Sequence, residues 1–277
     1  MRVFGRPFAL LCALSIALPA MALSQTPREI FDRMLAEYER RTEHIENYTL
    51  IQDAMGFETV LYFEKEMVEG HRVFRLKRSS AGGMAMPGTS EQGWDAIQRV
   101  APVLAANSEY RGRDQVGAHA VHVIDMHDLD RVDFGQGMIP KEANFRPLRG
   151  TLFVDTEQWV PRRVEFWGEM QTDRGPAEMH SVADLEDYRE VDGMLQPFRT
   201  TIRVEGMGQA MDPETRAQVE EMKRRLAEMP EAQRAMAEQM MKGQLERLEK
   251  MMGGDDDVMT VELVVKEVRV NAGPPTR

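Results

Sequence analysis

The run from Asp184 to Phe198 is broken once, by Asp192-Gly193, and that pair admits few folds. A tight hairpin turn needs positive φ, which Gly adopts freely and Asp tolerates better than most residues. Beyond the turn, Phe198, Thr200, Ile202 and Val204 alternate with Arg199, Thr201, Arg203 and Glu205, the period of a strand with one apolar and one wet face. A second phrase of the same build runs from Gly150 to Pro161 and turns at Asp155-Thr156-Glu157-Gln158. Arg149 to Gly206 is therefore expected to form an antiparallel meander. No recognisable catalytic motif lies within it, so function is expected from what the sheet encloses.

The first residues read as an export signal. Arg2 and Arg6 precede an apolar stretch from Phe8 to Leu18, and Ala20-Met21-Ala22 has the small-x-small pattern of a cleavage site. The stretch is too short for a membrane-spanning helix. Cleavage near Ala22 would remove residues 1–22 and with them Cys12, the only cysteine, excluding disulfides and thiolate chemistry in the mature chain. The expectation is an exported, soluble periplasmic protein with no transmembrane segment after cleavage. The formal charge of -11 has no basic stripe to offset it, which argues against nucleic acid as a partner.

Residues 23–271 read as one domain, with a loose tail at 272–277. Thr26-Pro27-Arg28-Glu29 is a helix start with a capping box, and Ile30, Phe31, Met34, Leu35 and Tyr38 follow at helical spacing to about Glu43. Strands are expected at Tyr48–Met55, Phe57–Val68 and His71–Arg78, then a loop from Ser79 to Gly93 and a helix from Trp94 to Ala106. A strand, a Gly117 turn and a strand follow from Glu109 to Ile124. Gly135, Gly137, Pro140 and Pro147 predict an irregular stretch from Leu129 to Leu148. After the meander, Asp212-Pro213-Glu214 opens a helical region to about Met252, and Val258 to Val270 is the last strand.

The common catalytic patterns are missing. His119 and His122 point to opposite faces of a strand, and His119 and His127 would lie about 26 Å apart at about 3.3 Å per residue, so no metal site is expected. There is no nucleophile elbow and no phosphate-binding glycine loop, so no cofactor and no enzymatic activity are expected. The helical insertion at 207–254 carries nine of the 22 methionines. Val219, Met222, Leu226 and Met229 form a stripe that Met236 and Met240 continue, suited to packing on the sheet, to a lid over acyl chains or to a variable apolar partner.

Four features in this order resemble the LolA/LolB-like superfamily of bacterial periplasmic proteins. They are an exported chain opening on a helix, Gly112-x-x-x-Val116-Gly117, Leu152-x-Val154-Asp155-x-Glu157-x-x-x-Pro161, and Tyr188-Arg189-x-Val191-Asp192-Gly193-x-x-x-Pro197. The resemblance covers roughly Thr26 to Gly206 and the last strand; the insertion departs from it. It implies an α+β fold, an incomplete antiparallel β-barrel wrapped around helices, with an apolar cavity for acyl chains. The expected function is a non-enzymatic carrier of lipid or acylated lipoprotein. The alternative is a sensor or interaction protein that binds an envelope protein partner through the methionine-rich insertion. Leu61, Phe63, Phe74, Leu76, Leu152, Val154, Val164, Phe166, Ile202 and Val204 are the expected cavity lining. Each buried CH₂ of a ligand would contribute about 0.8 kcal/mol.

Overall fold

The computed structural model describes residues 25–54, 56–68, 71–82, 84–86, 94–132, 145–172, 175–206, 221, 224 and 258–275. The export signal, most of the expected 207–254 insertion and the stripe residues Val219, Met222, Leu226, Met229, Met236 and Met240 lie outside them.

Among the described residues, eleven strands form one antiparallel sheet. They are β1 (Asn47–Ala54), β2 (Phe57–Val68), β3 (His71–Ala81), β4 (Met84–Met86), β5 (Ser108–Val116), β6 (His119–Met126), β7 (Phe145–Asp155), β8 (Pro161–Thr172), β9 (Gly175–Val191), β10 (Met194–Glu205) and β11 (Val258–Val270). Their spatial order is β4-β3-β2-β1-β11-β10-β9-β8-β7-β6-β5. The curved sheet does not close, in keeping with the incomplete barrel that the resemblance implied. Helix α2 (Trp94–Ala106) connects β4 to β5, the two edge strands, and so links one edge of the sheet to the other.

Helix α1 (Pro27–Thr42) begins at the expected place. Thr26 Oγ1 accepts from the Glu29 backbone N–H at 3.2 Å, and Glu29 Oε2 accepts from the Thr26 N–H at 2.9 Å. Thr26→Ala removes one arm of this capping box and is expected to lower stability by about 1 kcal/mol, read from the urea midpoint. The apolar stripe of α1 then feeds two buried clusters. Ile30, Phe31 and Met34 pack with Val100, Ala101 and Leu104 of α2 and with Ile124, Met126, Leu152 and Val154 of β6 and β7. Tyr38 packs against a second cluster built from Tyr48, Leu50, Phe63, Phe74, Leu76, Met194, Phe198, Val265 and Val268. The face of the sheet that carries the helices is its inner face.

Two stretches differ from the sequence expectation. The loop expected at Ser79–Gly93 is partly strand: β3 continues to Ala81, and β4 pairs with Ser79, Ser80 and Ala81. The irregular stretch expected to Leu148 ends earlier, because β7 starts at Phe145; a single 3-10 turn occupies Leu129–Arg131. Pro147 is tolerated within β7 for two reasons. β6 pairs only with Gly150 to Asp155, so Pro147 has β8 alone as a neighbour, and a register shift falls between Pro147 and Arg149. A residue with no N–H fits such a half-open, bulged position.

Candidate functional site

Strand register places all ten expected lining residues on the inner face. Leu152 pairs with Val164, Ala183 with both Val164 and Ile202, and Ser181 with both Phe166 and Val204. Phe63 pairs with Leu76, Leu50 with Leu61, and Phe74 lies two residues from Leu76. They do not share one environment. Leu152 and Val154 are buried beneath α1 and α2, with Val164 and Phe166 half-buried at the border of that cluster. Phe63, Phe74 and Leu76 belong to the second cluster, with Leu61 packed against it. Ile202 and Val204 belong to neither. Five of the expected positions are therefore packed core, filled by the protein's own side chains.

Between the two clusters lies a strip of inner face on β8 to β11. Its rows, read across the strands, are Val164–Ala183–Ile202–Val261, Phe166–Ser181–Val204–Met259, and Leu185–Thr200–Leu263, with Gly168–Met179 and Met170–Ala177 beyond. None of these residues is charged, in a chain with 35 Lys and Arg and 46 Asp and Glu. Val164, Phe166, Met170, Ala183, Ile202, Met259, Val261 and Leu263 are half-buried, whereas Val204, Met179 and Ala177 are buried. Alternate residues of the same strands carry the charges on the outer face. There Asp184 accepts from Arg163 Nε at 2.6 Å and from Arg203 Nη2 at 2.5 Å, while Trp167 stacks between Arg149 and His180. Of the strip, the residues expected from the sequence were Val164, Phe166, Ile202 and Val204; Met170, Met179, Ala183, Met259 and Val261 were not among them, although the same alternation in β8, β9 and β11 marks them.

One rim of the sheet is tied shut. Where α1 runs into β1, Arg41 Nη2 donates to the Gln158 carbonyl of the β7–β8 turn at 2.8 Å, and His44 Nε2 donates to the Asp192 carbonyl of the β9–β10 turn at 2.8 Å. Lys65 Nζ from β2 donates to the carbonyls of Thr42 and Glu43 at 2.6 and 3.1 Å, satisfying acceptors that a helix end leaves open. Asn271, after β11, accepts from the Glu46 N–H at 2.7 Å and donates to the His44 carbonyl at 3.1 Å. The Asp192-Gly193 turn has φ of 47° and 86°, as its residue types require, and a Cβ on Gly193 would lie 2.7 Å from the His44 ring. This turn is thus both a hairpin and the dock for the end of α1.

The residues of the two hairpin motifs meet beside that rim. Asp155 is 3 % exposed; its Oδ1 accepts from the Glu157 and Gln158 N–H groups, both at 2.8 Å, and its Oδ2 from Arg162 Nε at 2.9 Å. Arg162 lies over the Tyr188 ring at 4.8 Å, and the Tyr188 hydroxyl donates to the Pro161 carbonyl at 2.6 Å. Burial alone would raise the Asp155 pKa, but the two N–H groups and the guanidinium together hold it below the ordinary carboxylate value. Burial pushes Tyr188 far above the usual phenol range. Asp155, Pro161 and Tyr188 are thus parts of one brace, a structural reason for these residue types in the two motifs.

His122 and His119 point to opposite faces, as expected. His119 Nδ1 lies 3.2 Å from Asp155 Oδ2. His122, 1 % exposed, shares a 3.1 Å hydrogen bond with the Tyr110 hydroxyl and stacks on Trp159 at 5.3 Å; Arg33 of α1 covers the same indole. Burial, then the charge of Arg113, lowers its pKa. The unfolded chain therefore binds a proton at His122 before the folded one does, so stability falls as pH drops below the unfolded value of about 6.5 and levels off below the folded pKa. Urea unfolding at stepped pH is expected to show this loss above the carboxylate range, and His122→Phe to reduce it. An unchanged slope in the variant would remove His122 as its source.

No protein-family model and no curated protein sequence matches this chain. Among solved structures, it is similar to a putative outer membrane lipoprotein-sorting protein domain from Vibrio parahaemolyticus, at 8% identity and a TM-score of 0.41, over 90% of this chain and 93% of that one. It is also similar to a DUF1329 family protein from Desulfovibrio piger, at 9% identity and a TM-score of 0.41, over 90% and 93% of the two chains. A LolA superfamily protein from Nitrosomonas europaea is similar at 9% identity and a TM-score of 0.31, over 88% and 94%.

Proposed function

We propose that this protein is an exported, non-enzymatic carrier that holds an acyl chain of a lipid or acylated protein against the inner face of its sheet. The observation that carries the reading is the uncharged strip on β8 to β11. It is bounded on both sides by packed clusters and built from Ala, Val, Ile, Leu, Phe and Met with isolated Ser and Thr. A hydrocarbon chain there exchanges water for apolar contact along most of its length. A charged peptide would find no counter-charge on the strip. Among the described residues, no cluster of His, Cys, Asp and Glu is arranged to hold a metal. The export signal read from residues 1–22 and the resemblance of the hairpin motifs to LolA/LolB-like proteins agree with an envelope carrier.

Native mass spectrometry of protein purified from periplasm without detergent tests this directly. A stoichiometric adduct that yields lipid or acylated peptide on solvent extraction is expected. A clean apo mass that also takes up no fatty-acyl probe would overturn the carrier reading in favour of a protein partner.

A further inference from the structure

The chain has 22 methionines, and its one cysteine, Cys12, lies within the export signal read from residues 1–22. Thioethers are therefore the sulfur groups on which oxidants can act in the expected mature chain. Burial sorts the methionines described. Met34, Met126 and Met194 are sealed inside the two clusters, and Met179 is buried. Met170 and Met259 are half-buried on the uncharged strip, while Met67, on β2 and outside the strip, is 64 % exposed. Across the ladder, Met170 has Phe145 and Ala177 beside it and Met259 has Val204, none with a side-chain hydrogen-bond donor.

Resting on the carrier reading, we infer that Met170 and Met259 are sites of reversible oxidation to the sulfoxide by hydroperoxides, and that this modification releases the acyl ligand. The thioether sulfur attacks the terminal peroxide oxygen. An S–O bond forms, the O–O bond breaks, and sulfur gives up two electrons. The leaving hydroxide or alkoxide takes the proton of the transferred oxygen and departs as water or alcohol. The apolar side chain becomes a polar one. In the empty strip water solvates the new S=O group; beneath an acyl chain it loses that water with no donor beside it, a cost that falls on the bound state alone. Affinity therefore drops while folding stability holds. An acyl chain on the strip covers both sulfurs, so the loaded carrier is the protected one.

Protein purified from periplasm and freed of lipid is treated with hydrogen peroxide, and samples are taken over time. Each is measured for sulfoxide by peptide mass mapping, for affinity toward a fatty-acyl probe and for its urea midpoint. Met67 is expected to oxidise first without loss of affinity. Affinity should then fall by about tenfold or more in step with Met170 and Met259, at an unchanged midpoint, and return after methionine sulfoxide reductases and a dithiol. Met170→Leu/Met259→Leu forms neither sulfoxide, so its own affinity should be the same before and after peroxide. The two single variants, each expected to lose part of the effect, guard against the double failing to fold. Stearate added beforehand should slow oxidation several-fold at Met170 and Met259 and not at Met67. Affinity that falls equally in the double variant, or that survives oxidation of both residues, overturns the inference and leaves the carrier reading standing. So does resistance of both residues to peroxide. Unoxidised protein that binds no probe would sink both.

Discussion

Replacing Asp155 with alanine is expected to remove about 3–5 kcal/mol of folding free energy, the range for stripping one partner from a buried ion pair. Domains of ordinary stability have about 5–15 kcal/mol in total, so the variant should unfold at a much lower urea midpoint or fail to accumulate. The size follows from three simultaneous losses. Arg162, 5 % exposed, keeps its charge but loses the Nε acceptor. The Glu157 and Gln158 N–H groups lose the oxygen that shapes the β7–β8 turn. Trp159, at a φ of 55°, loses the turn that holds it in the left-handed region. Arg162→Met should cost less, since methionine can still pack on Tyr188 while Asp155 keeps both N–H donors and the neighbouring His119. If Asp155→Ala and Arg162→Met were equally mild, the brace would have no structural weight, and the motif spacing would need another explanation.

Ile202→Glu is expected to weaken binding of a fatty-acyl probe by more than tenfold, over about 1.4 kcal/mol, while the unfolding midpoint moves little. Both halves come from position. Ile202 is in the middle of the uncharged strip but in neither buried cluster, so a carboxylate there meets the ligand and not the core. Two controls bracket it. Thr201→Glu puts the same charge on the next residue, facing outward, and should leave probe affinity unchanged. Val154→Glu puts it at a fully buried position under α1 and should abolish folding. Probe affinity that survives Ile202→Glu would place the acyl chain elsewhere.

Much of this arrangement is legible from residue alternation, and the reason is local. Side chains in a strand point to alternate faces whatever the partners are, so Phe63, Leu152 and Ile202 could be assigned to a common face before any register was known. Asp192-Gly193 is equally local, because the turn follows from the φ values those two residues accept. What alternation cannot supply is the identity of the covering layer. Leu152 and Val154 look the same in sequence as Ile202, yet α1 and α2 cover the first two. That depends on α1 being held at its far end by Arg41 and His44, whose partners are 117 and 148 residues away. The brace was hidden for the same reason: Tyr188 meets Pro161 across a whole strand pair.

The place of β11 in the sheet has a consequence for how the protein assembles. β11 separates β1 from β10, so β4-β3-β2-β1 and β10-β9-β8-β7-β6-β5 are two hairpin-built halves with no ladder between them until β11 enters. The seam is made by the last strand in the sequence pairing with the first, Tyr48 with Val270 on one side and Thr200 with Leu263 on the other. Each half can form by local zippering, but joining them requires closing a loop of more than two hundred residues, the type of long-range contact that slows folding. Until β11 pairs, the chain would hold two unjoined half-sheets, and the strip would lack its fourth strand.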